Sequence, residues 1–259
     1  MTMMSEQMIK VCDEAEAEDL DFSELKAVLV NASLKHPSQD SHTDTLLDIV
    51  GEIFERGKVE VDRVRLSDHL LAPGVYPDMT EHGWDRDDWP KISERIIDAD
   101  ICVLGTPIWL GEKSSLAQAF IEKLYAHSGQ TNDKGQYLFY GKVGGCVVTG
   151  NEDGIKHVGM GVLYSMQHVG YTIPPQADCG WIGEAGPGPS YGDEKDDGSR
   201  VGFDSVFTQR NTTFMAFNLM HMAQMLKTAG GIPAVGNVRS QWDDGSKPGF
   251  PNPEYRMDD

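Results

Sequence analysis

Three polar segments of the chain hold the residue types best suited to binding a ligand. The first, residues 31–43, carries hydroxyls just before a predicted helix, at Ser33, Ser38, Ser41 and Thr43. The first turn of a helix presents N–H groups without acceptors and a partial positive charge, so this segment predicts a site for a terminal phosphate. Ser41 and Asp44 also have the spacing of a capping box, and helix capping is a second role that can coexist with the first.

The second segment, residues 106–111, joins an apolar run to a predicted helix. Pro107 and Gly111 give it an unusual backbone path that can expose N–H and C=O groups to a planar ligand. Trp109 adds a large aromatic face. A core or interface position for Trp109 is an equally good interpretation.

The third segment, residues 149–154, contains two glycines and Asn151. Glycine and asparagine permit positive φ angles, so the backbone can approach the edge of a ring closely. His157 follows this segment. Two interpretations of His157 stay open: a hydrogen-bond donor to a ring carbonyl, or a partly buried structural histidine.

Each polar segment follows, or is followed by, elements that can hold it in place. Apolar runs predict strands covered on both faces at 26–31, where 27–30 are continuously apolar, at 101–105 and at 143–149. An alternating run at 59–66 predicts an edge strand, and residues 171–173 predict a further short strand that ends at Pro174. Helix patterns are found at residues 43–56, 89–98, 115–125, 156–169 and 205–228.

Alternating strands and helices predict an α/β fold with a central parallel sheet, because parallel pairing needs crossover helices that cover both faces. In doubly wound sheets the ligand lies beyond the carboxyl ends of the strands. The three polar segments follow the three most apolar strands. They are therefore expected to converge on one crevice.

Composition narrows the class of protein. The 259 residues carry a formal net charge of -19, which disfavours nucleic-acid and membrane-surface binding. No apolar run is long enough to span a membrane and no signal pattern begins the chain, so a cytoplasmic protein is expected. Four widely spaced cysteines predict buried, reduced thiols and argue against an iron–sulfur cluster. The chain has neither a Walker A motif nor GxGxxG.

Over about residues 26–230 the chain resembles the flavodoxin-like NAD(P)H-dependent FMN reductases. The most specific piece is GTPIWLG at 105–111, followed by Ser114 and Ser115. The others are NAS at 31–33 with Ser41 and Thr43, and GNEDG at 150–154. The resemblance implies a flavodoxin-like fold with a five-stranded parallel sheet in the order 2-1-3-4-5.

The resemblance also implies one FMN per subunit. Its phosphate would be bound by Ser33, Ser41, His42 and Thr43, with Lys35 replacing the arginine often found in this loop. The ribityl chain and isoalloxazine would be flanked by Thr106, Pro107, Ile108, Trp109 and Gly111. The pyrimidine edge would meet Thr149, Gly150, Asn151 and Gly154, with His157 as a candidate partner for a carbonyl. Members commonly form homodimers or homotetramers.

The activity implied is a two-electron transfer in which NADH or NADPH gives a hydride to the flavin N5. The electrons then pass to a quinone, a free flavin or another small acceptor, and no side chain is an obligate acid or base. A one-electron carrier without nicotinamide activity is the main alternative, since an acidic surface suits docking to a basic partner. A regulatory module without cofactor is a third hypothesis.

The sequence departs from the simplest members in three places. These are an acidic N-terminal arm at 1–25, in which 5–20 form either a helix or a partly ordered segment, an insertion at 183–204, and a C-terminal tail at 231–259. The segment 181–191 could lie over the flavin as a lid, with Trp181 and Tyr191 stacking on substrate, or it could be a subunit contact or surface loop.

Two further patterns are interpreted as structural. His69, His82, Asp85, Asp87 and Asp88 have no metal-ligand spacing and predict a solvated surface. The methionines of the helix at 205–228 predict core or interface positions. They are Met215, Met220, Met222 and Met225.

Overall fold

The computed structural model describes residues 2–186, 188–239 and 241. Its strands are β1 Lys26–Asn31, β2 Glu60–Arg65, β3 Ile101–Trp109, β4 Glu112–Lys113, β5 Val143–Gly150 and β6 Asp178–Ile182. Its α-helices are α1 Glu6–Ala17, α2 His42–Arg56, α3 Trp89–Asp98, α4 Ser115–Tyr125, α5 Ile155–Val169 and α6 Val206–Thr228. Short 3-10 helices span Leu66–Asp68 and Met79–His82.

The sheet confirms the predicted flavodoxin-like topology. Five strands pair in parallel in the order β2-β1-β3-β5-β6, and the two-residue β4 pairs antiparallel with the end of β3. Asn31 at the end of β1 is in register with Gly105, and Pro107 is in register with Thr149. The carboxyl ends of β1, β3 and β5 are therefore neighbours, as the apolar runs predicted.

Each face of the sheet is covered by its own hydrophobic layer. Along β1, Ala27 and Leu29 pack in the layer that includes α2 and α6, whereas Val28 and Val30 pack in the layer of α3, α4 and α5. Successive side chains of a strand point to opposite faces, so burial on both sides requires the unbroken apolar run seen in the sequence.

Of the two alternatives for residues 5–20, the structure forms the helix. Ser5 caps α1 by accepting a hydrogen bond from the Met8 amide, and the side chains of Met8 and Cys12 are buried in the layer with α2 and α6. The division into arm, domain and tail stays a prediction. Most of the predicted tail, residue 240 and residues 242–259, lies outside the described residues.

The short strand predicted at 171–173 is wrong. Thr172 makes only an isolated bridge to Val143, and the chain enters the sheet later, as β6. Prolines at 174 and 175 lack the N–H that a continuing ladder needs. The sequence signal of β6 is weakened by Gly180, where an added Cβ would lie 2.2 Å from the Val148 carbonyl oxygen.

Asp87 corrects the expected solvated surface of its segment. Its carboxylate is fully buried, accepts hydrogen bonds from the amides of Ala72 and Met79, and pairs with the buried Lys123 ammonium at 2.7 Å. His82 and Asp85 are exposed, as expected. Among the described residues, no group of three or more His, Cys, Asp or Glu side chains is arranged to hold a metal ion.

The remaining structural expectations concern thiols and helices. All four cysteines are free and buried, and burial raises the pKa of Cys102 and Cys179 to about 12. On α6, Met215 and Met220 lie in the core, whereas Met225 is exposed. Within the described residues, none of the helices combines the length and apolar character required to span a membrane.

Candidate functional site

A cleft of about 450 Å³ lies beyond the carboxyl ends of β1, β3 and β5. Its walls come from the three polar segments of the sequence and from residues 185, 186, 188, 190 and 191. Most of the predicted site residues line it: Ser33, Lys35, His42, Thr43, Pro107, Ile108, Trp109, Thr149, Gly150, Asn151 and Tyr191. The expected convergence of the three segments is therefore observed.

The floor of the cleft joins the start of α2 to the ends of β3 and β5. Thr43 Oγ1 and Thr149 Oγ1 share a buried hydrogen bond of 2.8 Å. Gly105 permits this packing, because a Cβ there would lie 2.5 Å from Leu47 Cδ1 and 3.0 Å from Thr43 Cγ2. A larger residue at 105 would push α2, and the first polar segment that precedes it, away from the sheet.

Ser41 caps α2 and does not line the cleft. Its hydroxyl oxygen accepts hydrogen bonds from the Asp44 amide at 3.2 Å and from Asn31 Nδ2 at 3.3 Å. His42 and Thr43 occupy the first two helical positions, whose amides have no acceptor within a helix. Ser41 thus caps the helix start, and the next two residues, His42 and Thr43, line the cleft.

Lys35 and Arg65 organise the loop before α2. Lys35 lines the cleft, and its ammonium donates to the Asp40 carbonyl oxygen at 2.7 Å. The Arg65 guanidinium reaches from β2 to the carbonyl oxygens of Lys35, His36, Pro37 and Gln39. The Arg65 guanidinium thus holds the loop through its backbone carbonyl groups. The sequence did not indicate this role, because Arg65 lies in the alternating pattern of an edge strand.

The acidic side chain in the first turn of α2 has a shifted pKa. Burial raises the pKa of the Asp44 carboxyl, while Arg65 acts in the opposite direction. An anion at the start of α2 would be attracted by the helix dipole and by Lys35, and it would be repelled by the Asp44 carboxylate when that group is ionised.

The second segment turns sharply after β3. Leu110 and Gly111 both have positive φ angles, 52° and 78°, and the turn leads into β4. Thr106 is fully buried and does not line the cleft, because its hydroxyl accepts from the Ser114 amide at 3.0 Å and so fixes the start of α4. The Trp109 side chain is 56% exposed at the rim.

The third segment contacts the second through glycine. Gly154 has a φ of 131°, and a Cβ there would lie 2.8 Å from the Gly111 carbonyl oxygen. Glu152 lines the cleft and accepts from the Leu110 amide at 2.8 Å. Gly111 and Gly154 therefore hold two walls of the cleft together and do not themselves line it.

His157 lies outside the cleft lining. Its Nε2 is 2.7 Å from Glu112 Oε1, and both side chains are exposed, so it links α5 to β4. Glu112 and His157 form an ion pair when the imidazole is protonated. A contact between His157 and a ring carbonyl stays a prediction.

Residues 183–186 and 188–191 cover one side of the cleft. Asn151 Nδ2 donates to the Pro189 carbonyl oxygen at 2.9 Å, and the Gly183 amide donates to the Gly150 carbonyl oxygen at 2.8 Å. His42 Nδ1 donates to the Tyr191 carbonyl oxygen at 3.0 Å. The segment is thus fastened to both the first and third walls.

Tyr191 and Trp181 occupy different positions. The Tyr191 ring is buried and lines the cleft, whereas Trp181 lies behind it, with ring centroids 5.8 Å apart. Stacking of Tyr191 on a substrate stays a prediction, and Trp181 does not line the cleft. Lining residues that were not named as site residues are Leu34, Glu152, Ala185, Gly186, Gly188 and Ser190. All lie within segments that the sequence reading had already singled out.

Comparison with known proteins decides the family. The profile of the NADPH-dependent FMN reductases matches residues 25–177. The chain belongs to this family. The family's cofactors are FMN and NAD(P)H.

Two similar proteins carry descriptions that mention riboflavin phosphates. The chain is 34% identical over 210 residues to 8-demethyl-8-aminoriboflavin-5'-phosphate synthase of Streptomyces davaonensis, with 78% of this chain and 79% of that protein covered. It is 31% identical to the RosB structure that contains bound 8-demethyl-8-formylriboflavin-5'-phosphate, with a TM-score of 0.74 and coverage of 90% and 95%.

A third relative is much longer. The chain is 54% identical over 220 residues to a protein of Mycobacterium bovis named divalent metal cation transporter MntH, covering 85% of this chain and 32% of that protein. The chain thus spans about a third of that relative's length. An oxidoreductase from Corynebacterium diphtheriae shares the fold at 15% identity and a TM-score of 0.50, with coverage of 78% and 98%.

Proposed function

We propose that the cleft binds FMN and that the FMN-loaded chain passes electrons from NADPH or NADH to a quinone, a free flavin or another small acceptor. The observation that carries the proposal is the convergence of three segments, from the ends of β1, β3 and β5, on one cleft with a polar end and an apolar side. Family membership supplies the cofactor that such a cleft would hold.

The residues at the start of α2 fit a phosphate. The amides of His42 and Thr43 have no helical acceptor, and Ser33 and Lys35 line the same end of the cleft. The backbone amides at a helix start bind an anion through local hydrogen bonds and the helix dipole. A net charge of -19 over the whole chain therefore does not argue against an anionic cofactor. We assign the phosphate to this end.

The other walls fit a flat ring. Pro107, Ile108 and Trp109 form one side, and Thr149 to Asn151 form the facing edge. Gly150 keeps that edge narrow, because a Cβ there would lie 2.9 Å from Ile108 Cβ. The amino end of α5 begins at Ile155, four residues after Asn151, and its partial positive charge would stabilise negative charge on a bound ring.

FMN supplies the two-electron chemistry when bound, by accepting a hydride from a nicotinamide. The chain's own residues bind, orient and shield it. Asn151 and His42 hold the segment 183–191 over the cleft, and the buried Tyr191 ring keeps water from its inner wall. In this arrangement no lining side chain is required as a proton donor or acceptor.

The acceptor is tested with FMN-loaded protein, NADPH or NADH, and either a benzoquinone or free riboflavin under nitrogen. We expect oxidation of one nucleotide that depends on both FMN and acceptor. Protein stripped of FMN is the control. If FMN-loaded protein oxidises neither nucleotide with any acceptor, the one-electron carrier replaces this proposal.

A second candidate function is modification of the flavin itself. Its support is the likeness at 31–34% identity to proteins whose names describe 8-substituted riboflavin phosphates, over 78–90% of this chain. In that case FMN enters the cleft as substrate and position 8 of its ring is altered. Mass spectrometry of the flavin released after turnover separates the two: unchanged FMN supports the reductase, and a new flavin mass supports the modifying enzyme.

Subunit association also belongs to the proposal. Leu110 at the rim of the cleft is 93% exposed, and Trp109, Met160 and Tyr164 are more than half exposed. Such side chains are suited to contact with a second copy that would complete the wall beside Trp109. Analytical ultracentrifugation is expected to show a dimer or tetramer, and a monomer at all concentrations would remove this part.

A further inference from the structure

A second, smaller cavity lies behind Tyr191. It measures about 130 Å³ and is bounded by the N-terminal segment, α2, α6 and the insertion. We name it the methionine cavity; its lining includes Met3, Met4, Met8, Leu46, Ile49 and Phe203. Among the described residues, Tyr191 lines both this cavity and the main cleft. Tyr191, which is buried, therefore lies between the two.

The Tyr191 ring is held in place from several directions. Its centroid is 5.3 Å from that of Phe203 and 5.8 Å from that of Trp181. Gly202, at a φ of 81°, lets the chain pass close to it, since a Cβ there would lie 2.6 Å from Tyr191 Cδ2. The backbone of Tyr191 is fixed by His42. The wall is thus a rigid part of the site.

The methionine cavity offers little to a polar ligand. The Thr208 hydroxyl donates to the Gly180 carbonyl oxygen, the Thr212 hydroxyl donates to the Thr208 carbonyl oxygen, and Gln209 Nε2 donates to the Phe203 carbonyl oxygen. With these donors engaged locally, the remaining surface is mainly thioether, aliphatic and aromatic. A cavity of this kind favours an apolar guest.

We infer that Tyr191 is a specificity-determining residue, whose ring excludes alkyl substituents of an acceptor from the methionine cavity. The inference rests on the proposed function, because it concerns the acceptor that reaches the cleft. With the ring in place, the cleft takes compact acceptors and has no channel for an alkyl tail. Without the ring, cleft and cavity become continuous, and a tail can enter the apolar space.

The test compares two quinones that differ only in a tail: 2,3-dimethoxy-5-methyl-1,4-benzoquinone and the same ring with a decyl chain. Binding to FMN-loaded protein is measured by calorimetry, and turnover with NADPH is measured separately. The variants are Tyr191→Ala and the matched control Tyr191→Phe, which keeps the ring. In Tyr191→Ala the preference for the tailed quinone should rise about tenfold or more, because each buried CH₂ changes affinity roughly fourfold. Tyr191→Phe should leave the preference unchanged.

Refilling the space gives an independent check. Met8 also lines the cavity, so Tyr191→Ala combined with Met8→Phe should remove most of the gain. If Tyr191→Ala does not fold by circular dichroism, Tyr191→Leu takes its place with a smaller expected gain. The inference is overturned if the ratio of the dissociation constants for the two quinones is the same in the folded Tyr191 variant as in the wild type. It is also overturned if neither the wild type nor any variant binds the tailed quinone. Absence of turnover with an altered ratio overturns the proposed reductase function alone.

Discussion

Two polar regions of the chain, the cleft and the cluster of Asp87, Trp89, Lys123 and His127, differ in what their polar groups face. We call the second region the Asp87 cluster. In the cleft, helix-start amides and a lysine lie beside open space. In the Asp87 cluster the carboxylate meets the Lys123 ammonium at 2.7 Å, and Trp89 Nε1 donates to His127 Nε2 at 3.0 Å, with all four side chains buried.

This difference indicates that the cleft serves ligand binding and that the Asp87 cluster serves the stability of the fold. Polar groups that face open space can exchange water for a ligand, whereas buried groups must satisfy one another or lose stability. The two regions should therefore respond differently to substitution: the Asp87 cluster in unfolding, the cleft in FMN affinity. The experiments below measure these two quantities.

The largest effect is expected for Lys123→Met in the Asp87 cluster. The Asp87 carboxylate would stay buried without its cation, and breaking such a pair lowers the free energy of unfolding by about 3–5 kcal/mol. Urea denaturation followed by circular dichroism measures it. The control is Lys10→Met, which removes an exposed partner of Glu14 and should not shift the transition measurably. Wild-type stability in Lys123→Met would contradict this account of the cluster.

Gly154→Val should act on the cleft. Its Cβ would meet Gly111 at a backbone angle that L side chains rarely adopt, so the second and third walls must separate. Local strain of this kind costs about 1–3 kcal/mol, and we expect FMN affinity to fall about tenfold to hundredfold. Fluorescence titration measures the dissociation constant. Gly161→Val on α5 is the control, since a Cβ there meets nothing within 4 Å; unchanged FMN affinity in Gly154→Val would count against the assigned walls.

Arg65→Lys tests whether the contacts of Arg65 with the loop before α2 shape the cleft. Lysine cannot reproduce the fork that reaches four carbonyl oxygens. The loop should loosen, and FMN affinity should fall about threefold to tenfold, with little change in unfolding. Arg63→Lys, two residues earlier on β2, is the matched control because its side chain pairs with Asp48 and Glu55 instead. Equal effects of the two substitutions would show that the fork does not shape the site.

The smallest effect concerns pH and His127. Burial lowers the pKa of His127 below its ordinary value of 6.5, so the unfolded chain takes up the proton first. Stability should be complete above pH 6.5 and should decline as pH falls below it, by no more than about 1.4 kcal/mol per pH unit for one proton. Unfolding curves from pH 7.5 to 5.5 measure the slope. His127→Gln should reduce the pH dependence of the free energy of unfolding, and the exposed control His82→Gln should not. Equal slopes in the two variants would refute the assignment of this pH dependence to His127.

The sequence predicted the cleft better than the Asp87 cluster, for a physical reason. Apolar runs such as that of β3 identify buried strands, and parallel topology then forces the following loops together. No comparable rule indicates that Asp87 turns inward, because its ion-pair partner Lys123 is distant in sequence and lies on a helix face. Arg65 was missed for the same reason: its partners belong to another element.

Local interruptions explain the other error. β6 contains Gly180 and begins with Asp178, so its pattern is weaker than that of residues 171–173. The pairing that selects β6 is visible only in the sheet, where the glycine lets the Val148 carbonyl approach. The role of Tyr191 as a wall between two cavities likewise depends on α1, α2 and α6 meeting around it, which periodicity alone does not reveal.

The visible absorbance spectrum tests the central claim most directly. Protein stripped of flavin is titrated with FMN, separated from free FMN, and mixed with NADPH or NADH without oxygen. The account predicts that the protein takes up FMN and that its visible flavin absorbance is bleached by at least one nucleotide. A protein that takes up no FMN, or whose bound FMN keeps its absorbance with both nucleotides, would contradict it.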